Sequence, residues 1–281
     1  MLQYIIWEVN PEIFHIGSFS VRWYGLLFAL GFLIGMQIMS YIFKKENKPV
    51  GDTDTLLIYM VIATILGARI GHFLFYEPDV LLKNPLIVIT PPFAGLASHG
   101  ATIGILTALW LYSRRKESLQ TNQTFLWVTD RIVIVVALGG ACIRFGNLMN
   151  SEIVGRPTDV PWAFVFMQNN EYAKIPRHPA QLYESLSCLV LFFFLLWFWN
   201  RHKERTPRGS MLGIFLIWVF TLRFLYEYLK ENQVAFENTM ALNMGQILSI
   251  PAVLMGIYFV VRSYQTPVVI PERAESKETT S

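Results

Sequence analysis

Apolar runs of about 20 residues recur along the whole chain and leave it few ways to fold. A helix needs roughly 20 mostly apolar residues to cross the hydrocarbon of a bilayer. Such runs lie near residues 19–43, 55–76, 96–113, 125–145, 182–200, 210–229 and 244–263. With 53% hydrophobic and 15% charged residues over 281 positions, the chain is more apolar than a soluble core of its size requires. The expected fold is an all-α polytopic membrane protein with seven transmembrane helices, forming one integral domain over residues 1–264. The apolar stretch 81–89 is too short to cross and is broken by Pro85, with Pro91 and Pro92 beyond it. It reads as an interfacial or re-entrant segment.

The basic residues orient the spans. Lys44, Lys45 and Lys48 follow the first run, Arg114, Arg115 and Lys116 the third, and Arg201, Lys203, Arg205 and Arg208 the fifth. Short loops rich in Lys and Arg stay in the cytoplasm, so the N-terminus is expected outside and the C-terminus inside. Residues 1–17 carry Glu8 and Glu12 but no Lys or Arg, which does not fit a secretory signal, and the first helix is expected to be retained. Residues 146–181, between the fourth and fifth spans, then form a small external head, with a strand expected at 161–166. Residues 265–281, with prolines and mixed charge, are expected to be a disordered cytoplasmic tail. The net charge of +3 points to no nucleic acid or other polyanion. Cys142 and Cys188 lack paired spacing and read as buried thiols.

Against this background the polar residues inside or beside the runs mark a site. A cationic side chain at the bilayer centre costs roughly 2.5 to 3.5 kcal/mol on insertion scales, so several together need partners or water. With alternating span directions, Arg22 and Tyr24, Arg69 and His72, His99, Arg144 and Asn147, His178, Gln181 and Glu184, and Arg223 and Glu227 all fall at the outer edge. Plainer roles exist for several of them. Tyr24 suits an interface anchor, Asn147 and Asn150 suit helix caps, and Gly100, Gly146 and Gly155 suit turns. Arg223 and Glu227 stand at i and i+4, where they can pair. Arg144 is harder to place so, because it ends an apolar run and its planar fork calls for a carboxylate or a phosphate. A transporter places charges in the membrane too, but at the midplane between repeats, and no repeat is visible here. Ser98 beside His99 lacks the elbow of a serine hydrolase. No HExxH, Asp-rich or clustered Cys/His pattern calls for a metal.

The motifs then carry a resemblance. Val-Arg-Trp-Tyr-Gly (21–25), Ala-Arg-Ile-Gly (68–71), Ser-His-Gly (98–100), Arg-Phe-Gly-Asn-Leu-Met-Asn-Ser-Glu-Ile-Val-Gly-Arg (144–156), Arg-His-Pro-Ala-Gln-Leu-Tyr-Glu (177–184) and Met-Gly-Gln-Ile-Leu-Ser-Ile-Pro (244–251) resemble those of bacterial prolipoprotein diacylglyceryl transferases. The resemblance runs from about residue 10 to 264. It implies an enzyme of the bacterial cytoplasmic membrane that moves the diacylglyceryl group of phosphatidylglycerol onto the lipobox cysteine of a preprolipoprotein signal peptide, releasing glycerol phosphate. It also implies essential roles for Arg144, Arg223 and His99, and important ones for Tyr24, Asn147 and Gly155, with Glu152 and Glu227 as further acidic positions. Arg69, Asn150 and His178 join them as candidates for headgroup binding. The family pattern often has glycine where Ala101 and Ser151 stand, and tyrosine where Val219 stands, so no tyrosine hydroxyl is expected on the sixth span here.

Chemically, a thiolate attacks a glycerol carbon and a phosphate ester departs. A thiol with pKa near 8.5 is only slightly ionised at pH 7, so a base helps, and His99 is the candidate. Arg144 and Arg223 would clamp the phosphate as charge grows on the leaving oxygen. Tyr24 and Asn147 would orient the headgroup. A phosphate ester is already a competent leaving group, so no cofactor is expected.

Overall fold

The computed structural model describes residues 4–17, 19–90, 95–171, 174–230 and 240–266. Nine helices are found among them: α1 (Trp23–Lys45), α2 (Asp52–Tyr76), α3 (Pro78–Lys83), α4 (Ser98–Ser113), α5 (Lys116–Gln120), α6 (Phe125–Met149), α7 (Ala180–His202), α8 (Ser210–Tyr226) and α9 (Met244–Gln265). Six of these regions, α1, α2, α6, α7, α8 and α9, are long and apolar enough to cross a membrane. Their outward faces carry large apolar side chains such as Leu33, Phe193 and Leu254, each about 60% exposed. A lipid solvent leaves such a surface favourable, whereas water would not. This is a polytopic, multi-pass membrane protein.

The expected span at 96–113 is α4, which has 16 residues. It rises about 24 Å, short of a hydrocarbon core of about 30 Å. It is held by α2 along a glycine seam. A Cβ on Gly100 would stand 2.3 Å from the Gly67 carbonyl oxygen, and one on Gly104 would stand 2.5 Å from that of Ala63. The two backbones therefore touch, as small residues at membrane helix contacts allow. The segment 81–89, expected to be interfacial or re-entrant, is not a single element. It divides between α3 and a 3-10 turn, Pro85–Val88, each with Pro at its start.

The fold is not purely helical. Five short strands occur among the described residues: β1 (Ile5–Trp7), β2 (Glu12–Ile16), β3 (Phe19–Arg22), β4 (Phe164–Phe166) and β5 (Pro176–Arg177). The strand expected at 161–166 is β4, paired parallel to β1 and antiparallel to β5. Residues 19–22, expected to open the first span, instead return antiparallel along β2. Trp7 ties the small sheet to the bundle by donating its indole N–H to the Leu148 carbonyl at 3.0 Å. The expected tail lies, beyond Thr266, outside the described residues.

The core is built on α6, whose Trp127–Ile134 stretch is buried throughout and which is flanked by α1 and α7. Costly polar groups do not all collect at one edge, as the sequence suggested. At the opposite end of α6, Glu46 is 2% exposed and accepts from Arg131 Nε (3.1 Å) and Nη2 (3.0 Å), Trp127 Nε1 (2.8 Å) and Trp199 Nε1 (2.6 Å). Beside it, Asp130 accepts from the backbone N–H groups of Gly209 (2.6 Å) and Leu212 (2.9 Å). A carboxylate there satisfies the free amides at the start of α8 and suits its dipole. Donors converge on both carboxylates, which is the condition for burying them.

Candidate active site

At its far end α6 delivers Arg144. The guanidinium side chain is 33% exposed, and its Nε lies 2.6 Å from Glu184 Oε2 on α7. The other oxygen of Glu184 receives the ammonium of Lys230, which follows the 3-10 turn Glu227–Leu229 after α8. Glu184 and Lys230 are both buried, at 8% and 7% exposure. Two cations on one carboxylate leave this triad a net charge of +1, which attracts an anion in a low-dielectric setting. The Arg144–Glu184 contact is close but not aligned as a hydrogen bond, for Glu184 Oε2 has no hydrogen-bond partner. Among the described residues no hydrogen bond consumes an N–H of Arg144. Its donor fork remains unspent.

Just beyond Arg144 the chain folds back on itself. Asn147 Nδ2 and Asn150 Nδ2 both donate to Glu152 Oε1, at 2.6 and 3.3 Å, and Gln181 Nε2 donates to the Glu152 carbonyl at 2.5 Å. The amide oxygens of Asn147 and Asn150 are buried without a partner in this structure. Orphaned buried acceptors at the end of a helix are uncommon and call for a donor. The turn is strained as well, with Ser151 at φ +54° and Ile153 at φ +56°.

Two glycines are here for closeness rather than for turning. Gly155 hydrogen-bonds His178 O through its N–H (2.9 Å) and receives Arg177 Nη1 on its carbonyl (3.0 Å). A Cβ on it would stand 2.7 Å from His178 and 2.9 Å from Leu229 O. On Gly146 a Cβ would stand 2.8 Å from the Tyr24 ring, so α1 closes on α6 there. Tyr24 consequently lies near enough to Arg144 and Glu152 to feel both charges. His178 Nδ1 lies 3.2 Å from the Tyr183 hydroxyl, which also accepts from Trp162 Nε1 at 2.8 Å. Burial holds the His178 imidazole below its ordinary pKa, so it is neutral at pH 7.

Tyr24, Arg144, Asn147, Asn150, Glu152, Gly155 and His178 are thus drawn to one end of the bundle from α1, α6 and the approach to α7. The remaining candidates have neighbours of their own. Arg69 is 1% exposed and gives Nε to Val88 O (3.2 Å) and Nη2 to Ile87 O and Thr90 O (3.1 Å). Those bonds anchor the Pro85–Val88 turn. His99, exposed at the first turn of α4, packs its ring 5.2 Å from Phe75 and 6.0 Å from Tyr76. The expected Arg223–Glu227 pair is not formed. Glu227 leaves α8 for a 3-10 turn and accepts from Asn243 Nδ2 at 2.9 Å, leaving the exposed Arg223 without an ion pair among the described residues. Its position in the sequence puts Glu184 at this edge without a role, and Lys230 lies outside the sequence-predicted residues. Its only signal was being the first charge beyond the turn that follows the sixth span.

These features define a multi-pass helical membrane protein with an arginine–carboxylate–lysine triad and two unpartnered amide oxygens at one end. Comparison narrows it. Residues 11–262 match the family model described as prolipoprotein diacylglyceryl transferase. A phosphatidylglycerol–prolipoprotein diacylglyceryl transferase of Chloroherpeton thalassium is 45% identical over 263 residues, covering 92% of this chain and 94% of that protein. One from Tolumonas auensis is 42% identical, covering 92% and 97%, and one from Vibrio cholerae is 38% identical, covering 92% and 93%. The chain belongs to the prolipoprotein diacylglyceryl transferase family.

Proposed function

We propose that this protein transfers the diacylglyceryl group of phosphatidylglycerol to the lipobox cysteine of a preprolipoprotein in the bacterial cytoplasmic membrane. Family membership supports the transfer, and the unspent fork of Arg144 is the observation that carries its chemistry. The phosphate of the lipid head takes that fork, in a site already biased by one positive charge. Hydroxyls of the terminal glycerol donate to the orphaned oxygens of Asn147 and Asn150, and Tyr24 lines the same wall. Below this end lies an apolar cavity of about 230 Å³ among Phe28, Met36, Leu56, Met60, Ile132 and Val135. It adjoins α1 and α6, the helices that carry Tyr24 and Arg144, and suits an acyl chain.

In the reaction His99 takes the thiol proton, the sulfur forms a bond to the glycerol carbon, and the bond from that carbon to the phosphate oxygen breaks. The electron pair leaves with glycerol phosphate and a thioether remains. Arg223, exposed and unpaired among the described residues, meets the departing phosphate beside Arg144. Arg69, by fixing the Pro85–Val88 turn, and Glu152, Gly155, His178 and Glu227, by holding the folded-back motif and the turn after α8, shape the headgroup pocket.

In this reading α4 is a seventh crossing, the region about 146–181 is an external head, and residues 1–264 act as one catalytic domain. The N-terminus is outside, the C-terminus is cytoplasmic, and the site faces the outer leaflet. The test is transfer from phosphatidylglycerol labelled in its acyl chains to a lipobox peptide, with a Cys→Ser peptide as control. Label on the cysteine peptide alone supports the reading. Equal label on both, or on neither, overturns it.

A further inference from the structure

Resting on that reading, we propose that Lys230 is a positioning residue that keeps the Arg144 fork open for the anionic headgroup. The argument begins with Glu184. A buried carboxylate beside an arginine ordinarily closes on it through two parallel N–H···O bonds, which is the strongest arrangement available to the pair. Here it does not. One oxygen is taken by the Lys230 ammonium, and the other lies 2.6 Å from Arg144 Nε without an aligned hydrogen bond. Lys230 thereby divides the carboxylate, and the guanidinium keeps its donors.

The position of Lys230 is itself fixed. Its backbone pairs with Gly155 in an isolated antiparallel bridge, and its carbonyl accepts from Arg156 Nε at 2.7 Å. Arg156 N donates to the Leu229 carbonyl at 2.7 Å. The end of α8 is thus fastened to the motif that begins at Arg144, and the ammonium enters the pocket from a backbone with little freedom. Gly155 has a specific reason to be glycine, since a methyl group there would push against Leu229 O and break the bridge that aims Lys230. The triad also sets the charge of the pocket. Removing Lys230 leaves Arg144 and Glu184 alone, and the net charge falls from +1 to zero.

The test uses the full-length protein in detergent–lipid micelles and follows KM for phosphatidylglycerol, kcat and the thermal midpoint. Lys230→Met is expected to raise KM about tenfold with kcat changed less than about threefold, because the fork closes on Glu184 before the lipid arrives. Lys230→Arg is expected to keep KM near the wild-type value. Adding Glu184→Gln to Lys230→Met is expected to bring KM most of the way back, since a neutral amide no longer competes for the fork. A structural role alone gives a lowered thermal midpoint and no such rescue. Unchanged KM in Lys230→Met, or a loss that Glu184→Gln leaves unrepaired, overturns the proposal. Should the wild-type protein not transfer at all, the function above fails. The same variants are then compared for binding of short-chain phosphatidylglycerol, where weakening in Lys230→Met and recovery in the double variant support the positioning role, and equal binding by all three overturns it.

Discussion

Arg144 combines two properties that a sequence cannot separate: it is paired in charge, and its hydrogen-bonding capacity is free. A lysine there would keep the charge and lose the planar fork, so Arg144→Lys is expected to lower kcat/KM on the order of a hundredfold in the transfer assay. The strained turn that follows invites a gain instead. Ser151 sits at φ +54°, where an L side chain is disfavoured by roughly 1 kcal/mol and glycine is not. Ser151→Gly should therefore raise the thermal midpoint by a few degrees. His178 gives a pH dependence. Its folded pKa lies below the ordinary 6.5, so between those values the unfolded chain binds more protons. Its contribution to stability is present above about pH 6.5 and is lost as pH falls toward the folded value, and His178→Gln should flatten that part of the midpoint-versus-pH curve. Arg144 stood out in the sequence because a cation ending an apolar run needs a partner, whereas Asn147 and Gly155, which suit a cap and a turn, stood out only through the family resemblance. The partnership of Glu184 with Lys230 was not legible there, because the two are 46 residues apart and only the fold joins them.

Among the elements, length and apolar content were enough to locate α1, α2, α6, α7, α8 and α9 within a few residues. The β2–β3 pairing was hidden, since Phe-Ser-Val-Arg continues the apolar run of α1 and only the partner strand reveals it. Gly100 reads by itself as a turn residue, yet with Gly67 and Gly104 it sets how closely α2 and α4 approach. Gly100→Leu puts a side chain where the Gly67 carbonyl already stands at 2.3 Å. The overpacking should cost about 1–3 kcal/mol and displace the first turn of α4, which carries His99. A fall in kcat larger than the change in lipid KM, beside a lowered midpoint, would show that the seam supports catalysis by placing that turn.

On the scale of the whole molecule, α6 is a spine with a polar assembly at each end, one fully satisfied and one not. Around Glu46 several donors meet their acceptor, and the assembly joins the turn after α1 to α6 and α7. Glu46→Leu leaves Arg131 buried without its carboxylate and should cost about 3–5 kcal/mol of stability, while the KM of the protein that remains folded stays unchanged. At the Arg144 end, the guanidinium N–H groups and the amide oxygens of Asn147 and Asn150 have no hydrogen-bond partner among the described residues, which is what the proposed headgroup site needs. The sequence missed the Glu46 assembly because Asp130 and Arg131, adjacent and opposite in charge, stand too near the start of the span to interrupt its apolar run. In the proposed arrangement, groups from separate crossings meet on the outer face to grip a lipid's anionic head. Single cysteines placed at Asp159 and Glu204 in a Cys142→Ala, Cys188→Ala background, probed in intact cells with a membrane-impermeant maleimide, test it most directly. Labelling at 159 and none at 204 until the cells are opened is the expected result, and the reverse pattern, or equal labelling of both, would overturn the outward placement of the site.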